Sequence, residues 1–211
     1  MKNISLIILL FACITGVQAQ KLVEKHMPFT AGKLIVMNLE IADSIRVITW
    51  NKNEVYAKAS IDINDNKDNE YYKTTFDESG SNIVVKAKLE YKKVERNCNC
   101  DCQTKIYWDV FIPENAGFSV ESINGNITIS GNPSEIRAHS ISGFIDLTIP
   151  PSRKADFKFN TITGTIYSNL AINTSNSSKS STTSISDKYN GGGKEIDLET
   201  ISGDIYLRKS E

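Results

Sequence analysis

Hydrophobic and polar residues alternate with period two along most of the chain, and no long segment keeps the i, i+3, i+4 apolar spacing of an amphipathic helix. Residues 44–50 (Ser-Ile-Arg-Val-Ile-Thr-Trp) predict a strand, which Asn51, Lys52 and Asn53 turn into a second strand over 54–61. Residues 81–89 and 105–112 predict two more. β-Branched and aromatic side chains dominate these runs, as a half-buried pleated surface requires. The pattern predicts an all-β protein.

The second half carries an internal repeat. Four segments share one pattern: Ser122-Ile123-Asn124-Gly125-Asn126-Ile127, Ser140-Ile141-Ser142-Gly143-Phe144-Ile145, Thr161-Ile162-Thr163-Gly164-Thr165-Ile166 and Thr200-Ile201-Ser202-Gly203-Asp204-Ile205. Their glycines are separated by 18, 21 and 39 residues, and 184–189, with Asp187 in place of glycine, reads as a decayed fifth copy. On a straight strand Ile, Gly and Ile at i, i+2 and i+4 share a face. Both isoleucines of each copy are therefore expected to point inward around a glycine that leaves room for a neighbour. Ile196 and Leu198 are out of phase with Ile201, which predicts a bulge or corner between Leu198 and Ile201. A period near 20 residues, with one strand-corner-strand unit per turn, predicts a β-solenoid in which each turn stacks on the last. A β-sandwich with regularly spaced hairpins is the alternative.

At the N-terminus, Lys2, an apolar run over 4–14, and Val17 and Ala19 in small-residue positions predict a secretory signal peptide over 1–19. Leu10-Phe11-Ala12-Cys13 partly matches a lipobox, which makes lipidation of Cys13 the alternative. The expected organisation is a strand-rich part over 20–112 and a repeat region over 113–211 continuous with it, with Pro113 and Gly117 at the junction. The polar tract 173–184 predicts a surface loop, and Asn190-Gly191-Gly192-Gly193 a turn.

Composition narrows the function. In 211 residues, 40% are hydrophobic and 23% charged, enough apolar material for a core. Lys plus Arg number 24 against 25 Asp plus Glu, so no basic excess supports nucleic-acid binding. No apolar stretch after the signal segment reaches membrane-spanning length, so no transmembrane span is expected after signal cleavage. The expected partner is an envelope or extracellular protein or glycan of unknown identity.

The chain resembles the bacterial putative adhesin family of exported β-strand-repeat proteins, related to the head GIN domain proteins. The resemblance is carried by Ser-Ile-Asn-Gly-Asn-Ile-Thr-Ile (122–129), Ser-Ile-Ser-Gly-Phe-Ile-Asp-Leu (140–147) and the ending Gly-Gly-Gly-Lys-Glu-Ile-Asp-Leu-Glu-Thr-Ile-Ser-Gly-Asp-Ile-Tyr-Leu (191–207), best over 105–211. It implies a right-handed β-helix-like fold outside the cytoplasm and an adhesin-like role. It supplies no catalytic residues, cofactor or metal.

Candidate chemistry is sparse. Cys98, Cys100 and Cys102 are expected as a disulfide or free thiols in an oxidising compartment, with a soft-metal site the alternative. The run 62–70 spaces oxygen ligands as calcium loops do, but Lys67 and Lys73 replace the loop glycine and the final glutamate, so a solvated acidic turn is expected. His139 is expected on a strand surface, and Asp146, Asp197, Glu199 and Asp204 in solvent. Thr128, Asp146, Tyr167 and Tyr206 each stand three places after a repeat glycine, outward-facing, and form the candidate binding face. The expectation is a non-enzymatic exported binding or structural module. The alternatives are a β-helix carbohydrate-active enzyme and a periplasmic accessory or sensor subunit.

Overall fold

The structure, a computed structural model, describes residues 20–94, 103–172 and 183–211. The signal segment, Cys13, the cysteines 98, 100 and 102, and most of the polar tract lie outside the described residues. The described chain is all-β apart from two single helical turns, Asn69–Tyr71 and Tyr91–Val94.

Strands β1 (Lys21–Pro28), β2 (Leu34–Leu39), β3 (Ile41–Trp50), β4 (Glu54–Ile63), β5 (Tyr72–Asp77), β6 (Asn82–Leu89) and β7 (Thr104–Pro113) form the first part. The long β8 (Gly117–Ser130) is followed by β9 (Ile136–Ser142), β10 (Ile145–Ile149), β11 (Ala155–Thr161) and β12 (Ile166–Ser168). β13 (Thr183–Tyr189), β14 (Lys194–Ser202) and β15 (Ile205–Lys209) complete the chain. Residues 44–50, 54–61, 81–89 and 105–112 lie in β3, β4, β6 and β7 as the alternation predicts, β6 beginning one residue later.

Each repeat contributes two strand halves to two rows of one open sheet. One row runs β5, β6, β2, the start of β8, β9, β14, β11 and β13, parallel from β6 to β11. The other runs β1, β4, β7, β3, the end of β8, β10, β15 and β12, parallel from β7 to β12. Because β8 pairs with β2 and β3 on one side and with β9 and β10 on the other, the first part and the repeats share this sheet.

The stacking order departs from the expected solenoid. The last repeat, β14 with β15, lies between β9–β10 and β11–β12 instead of following the latter. Likewise β2–β3, first in sequence, is flanked by β6–β7 and β8. The supposed fifth copy is a correction: β13 pairs antiparallel with β11, Phe157 opposite Asp187, so it is a closing strand rather than a further turn, and it begins at Thr183, inside the expected loop.

The inward residues of the motif also need correction. Ile127, Ile145 and Ile205 are fully buried and Ile166 is packed against the core, but Ile123, Ile141, Ile162 and Ile201 are 50%, 42%, 45% and 37% exposed. The buried position is the hydroxyl residue before them: Ser122, Ser140, Thr161 and Thr200. In β8, Phe118, Val120 and Ser122 face in, Ile123 and Asn124 both face out, and Ile127 and Ile129 face in again. Two successive outward residues reverse the pleat phase, so both halves of a bent repeat direct their apolar teeth into one core. The corner therefore lies after the first isoleucine, between Ile201 and Ile205, not before it.

The glycines stand in this corner, and their role is close backbone stacking rather than room for a side chain. A Cβ on Gly143 would sit 2.4 Å from the Gly125 carbonyl oxygen, one on Gly203 2.1 Å from that of Gly143, and one on Gly164 1.7 Å from that of Gly203. Gly143 also has φ +129°, which only glycine adopts freely. Three of the four buried hydroxyls satisfy the same carbonyls: Ser140 donates to Gly125 (3.2 Å), Thr200 to Gly143 (3.1 Å) and Thr161 to Gly203 (2.9 Å), while Ser122 donates to the Glu40 carbonyl (3.5 Å). The Ser/Thr–Ile–x–Gly spacing thus encodes a hydroxyl that crosses to the neighbouring turn's corner.

Candidate binding surface

Strand pairing aligns side chains from different turns into rows. Thr128, Asp146, Tyr206 and Tyr167 are direct register partners across β8, β10, β15 and β12. The row continues through Arg46 and Asp109 to Lys58 and Glu24. The four residues picked out by the repeat phase therefore lie side by side.

Charge and aromatic contacts divide this row. Arg46 bonds Asp109 at 2.6 Å, and Lys58 stands 3.5 Å from Glu24. Hydrogen bonding to Asp109 raises the Arg46 pKa further. At the other end the Tyr167 and Tyr206 rings stack at 5.2 Å with 10° between planes, and Phe144 meets Tyr206 edge-on at 6.0 Å. Arg208 lies 5.3 Å from the Tyr206 ring and donates to both Asp146 oxygens at 2.9 and 3.0 Å. The Tyr206 hydroxyl donates to Asp204 at 3.1 Å, a bond that raises its pKa. Tyr167, 49% exposed on the marginal strand β12, ends the row.

A second aromatic group on the outward side of the same row of strands escaped the sequence reading. His26 stacks on Tyr56 at 4.3 Å, Tyr56 lies 5.9 Å from Phe111, and Phe111 5.3 Å from Trp50. Period-two aromatics identify strands but do not reveal which strands become neighbours, so this group had no signal in the sequence.

The corner isoleucines form a ridge, since pairing places Ile123, Ile141, Ile201 and Ile162 in adjacent turns. Beside it His139 is half-buried between register partners Glu121 and Glu199, and its Nε2 is buried without a hydrogen-bond partner among the described residues.

Three of the four carboxylates expected in solvent have separate structural engagements. Asp146 holds Arg208, Asp197 holds Lys158 at 2.8 Å, and Asp204 accepts from Thr165 N and Tyr206. The acidic turn is less solvated than expected: Asp68 and Asn69 are buried. Asp62 accepts from Asn66 N, and Asn69 accepts from Ile63 N and donates to Asn66. Among the described residues no His, Cys, Asp and Glu group is arranged to hold a metal ion. No described helix is long and apolar enough to cross a membrane.

No protein-family model matches the sequence, and no curated protein matches it. Solved structures do. The crystal structure of a putative cell adhesion protein from Clostridium sporogenes aligns with a TM-score of 0.58 at 12% identity, over 90% of this chain and 100% of that one. At that score and identity the likeness establishes a shared fold. A putative adhesin from Bacteroides fragilis aligns over 92% of this chain and 99% of that one, with TM-score 0.26 and 7% identity. A putative lipid binding protein from Parabacteroides distasonis covers 92% and 97%, with TM-score 0.27 and 12% identity. The protein is thus an all-β chain that shares its fold with the Clostridium sporogenes protein.

Proposed function

We propose that the protein is an exported, non-enzymatic, adhesin-like module that binds a protein or glycan at the bacterial cell envelope. Its repeats form a β-helix-like stack whose outward row Thr128, Asp146, Tyr206 and Tyr167 is the recognition face. The observation that carries this reading is the register of that row. Residues separated in sequence become a continuous strip, with a stacked tyrosine pair at its margin and a guanidinium–carboxylate pair beside it. Aromatic rings with polar edges supply contact area at little entropic cost. The adhesion role ascribed to the Clostridium sporogenes protein of the same fold supports the reading.

The test is binding of the exported chain to arrayed glycans and extracellular-matrix proteins, with glycan hydrolysis followed in parallel. The expected result is retention of one ligand class without hydrolysis, lost in Tyr167→Ala/Tyr206→Ala. Turnover of a glycan, or binding indifferent to both tyrosines, contradicts the proposal.

A further inference from the structure

At one end of the stack three turns, 29–33, 51–53 and 114–116, meet around a cleft of ≈ 540 Å³. That volume falls within the range of about 300–1,000 Å³ typical of small-ligand sites. Phe29, Trp50 and Pro113 supply apolar lining, and Asn51, Asn53 and Asn115 line it with polar groups. The turns are tied together by backbone bonds, Phe29 N to Asn53 O at 3.0 Å and Glu114 N to Trp50 O at 3.2 Å. The indole is fixed as well, since Trp50 Nε1 donates to the Glu54 carbonyl at 2.8 Å. The cleft is preorganised.

We infer that this cleft binds a neutral saccharide, independently of the recognition face proposed above. Three arguments converge on that class. The three carboxamides make no side-chain hydrogen bond among the described residues, and each offers both donors and an acceptor, matching sugar hydroxyls, which also do both. The charged lining consists of Lys52, whose ammonium stands 3.7 Å from Glu54, and Glu114, so the cleft offers at most one uncompensated charge and does not select a strongly charged ligand. The indole and the Phe29 and Pro113 rings provide apolar area for the C–H face of a pyranose. Lys52 Nζ lies 4.5 Å from the Trp50 ring centroid, so this flexible side chain shields the indole and moves aside when a sugar takes its place.

Intrinsic fluorescence reads the site directly. The chain has two tryptophans, and Trp108 is fully buried, so a ligand-dependent change reports Trp50. The protein is titrated with hexasaccharides of glucose, mannose, xylose and N-acetylglucosamine. The expected result is a saturable emission shift with at least one of them. Asn51→Ala/Asn115→Ala, both exposed, weakens binding at least about tenfold with unchanged Tm. Lys52→Ala tightens it about threefold. Tyr167→Ala leaves it unaltered. No saturable shift with any hexasaccharide, an affinity indifferent to the double substitution, or a shift lost in Tyr167→Ala overturns the inference. The last outcome would move saccharide binding to the recognition face, whereas the other two leave that face untouched.

Discussion

The Thr200 hydroxyl donates to the Gly143 carbonyl at 3.1 Å across 57 residues of sequence. This bond joins the C-terminal repeat to the turn of β9 and β10, while Thr161 joins β11 to Gly203 on the opposite side. The last repeat is held from both sides by the same hydroxyl-to-corner contact.

Removing one hydroxyl isolates its contribution. Thr200→Val keeps the shape but leaves the half-buried Gly143 carbonyl short of a donor, and is expected to cost about 1–2 kcal/mol. Thr200→Ser restores most of it. Urea unfolding of the three proteins checks the order wild type, Ser, Val; equal stability of Val and wild type would contradict the hydroxyl's role.

A corner glycine and a turn glycine separate steric contact from backbone strain. Gly203→Ala places a methyl 2.1 Å from the Gly143 carbonyl oxygen, backbone against backbone, and is expected to cost at least about 3 kcal/mol. Gly191, at φ +87° with nothing within 4 Å of its Cβ position, carries only the conformational penalty, so Gly191→Ala is expected to cost about 1 kcal/mol. Thermal melts that rank them in reverse would refute the column of stacked glycines.

The paired isoleucines of one motif are expected to differ sharply. Ile145→Thr puts a hydroxyl into a fully buried apolar site and should cost about 2–4 kcal/mol, whereas Ile141→Thr, at 42% exposed, should stay within about 1 kcal/mol. Denaturant midpoints measure both.

These positions show how far the sequence speaks. The repeat, its glycines and the outward row were legible, because strand pairing in register preserves the motif's spacing. The inward assignment of Ile123, Ile141, Ile162 and Ile201 failed because it assumed a straight strand through the motif. The phase change was visible in Ile196, Leu198 and Thr200 against Ile205 and Leu207, but a lone hydroxyl residue does not announce itself as buried. The insertion of β14–β15 between earlier turns had no local signal, since all the corners are chemically alike. The cleft around Trp50 was invisible because its turns are far apart in sequence.

Alkaline pH provides an independent check on the core of the first part. Tyr72 is buried, its hydroxyl donating to the Ile41 carbonyl at 2.9 Å and accepting from the Trp108 indole at 3.0 Å. Burial pushes its pKa well above the ordinary phenol value of about 10. The unfolded phenol thus ionises first: the stability is intact below about pH 10 and is lost as pH rises toward the folded value. Tyr72→Phe is expected to be less stable at pH 7 by about 1–2 kcal/mol, yet to lose less stability between pH 9.5 and about 11. Parallel pH slopes for the two proteins would contradict a buried, protonated Tyr72.

The placement of the C-terminal repeat is tested most directly by deleting residues 194–211 and following unfolding by circular dichroism. A chain whose last repeat sits between two others loses the contacts of β9–β10 with β14–β15 and of β11–β12 with them together. The predicted result is loss of the cooperative transition. A shortened protein that still melts cooperatively near the full-length temperature would show the last repeat to be a terminal cap, and would contradict this architecture.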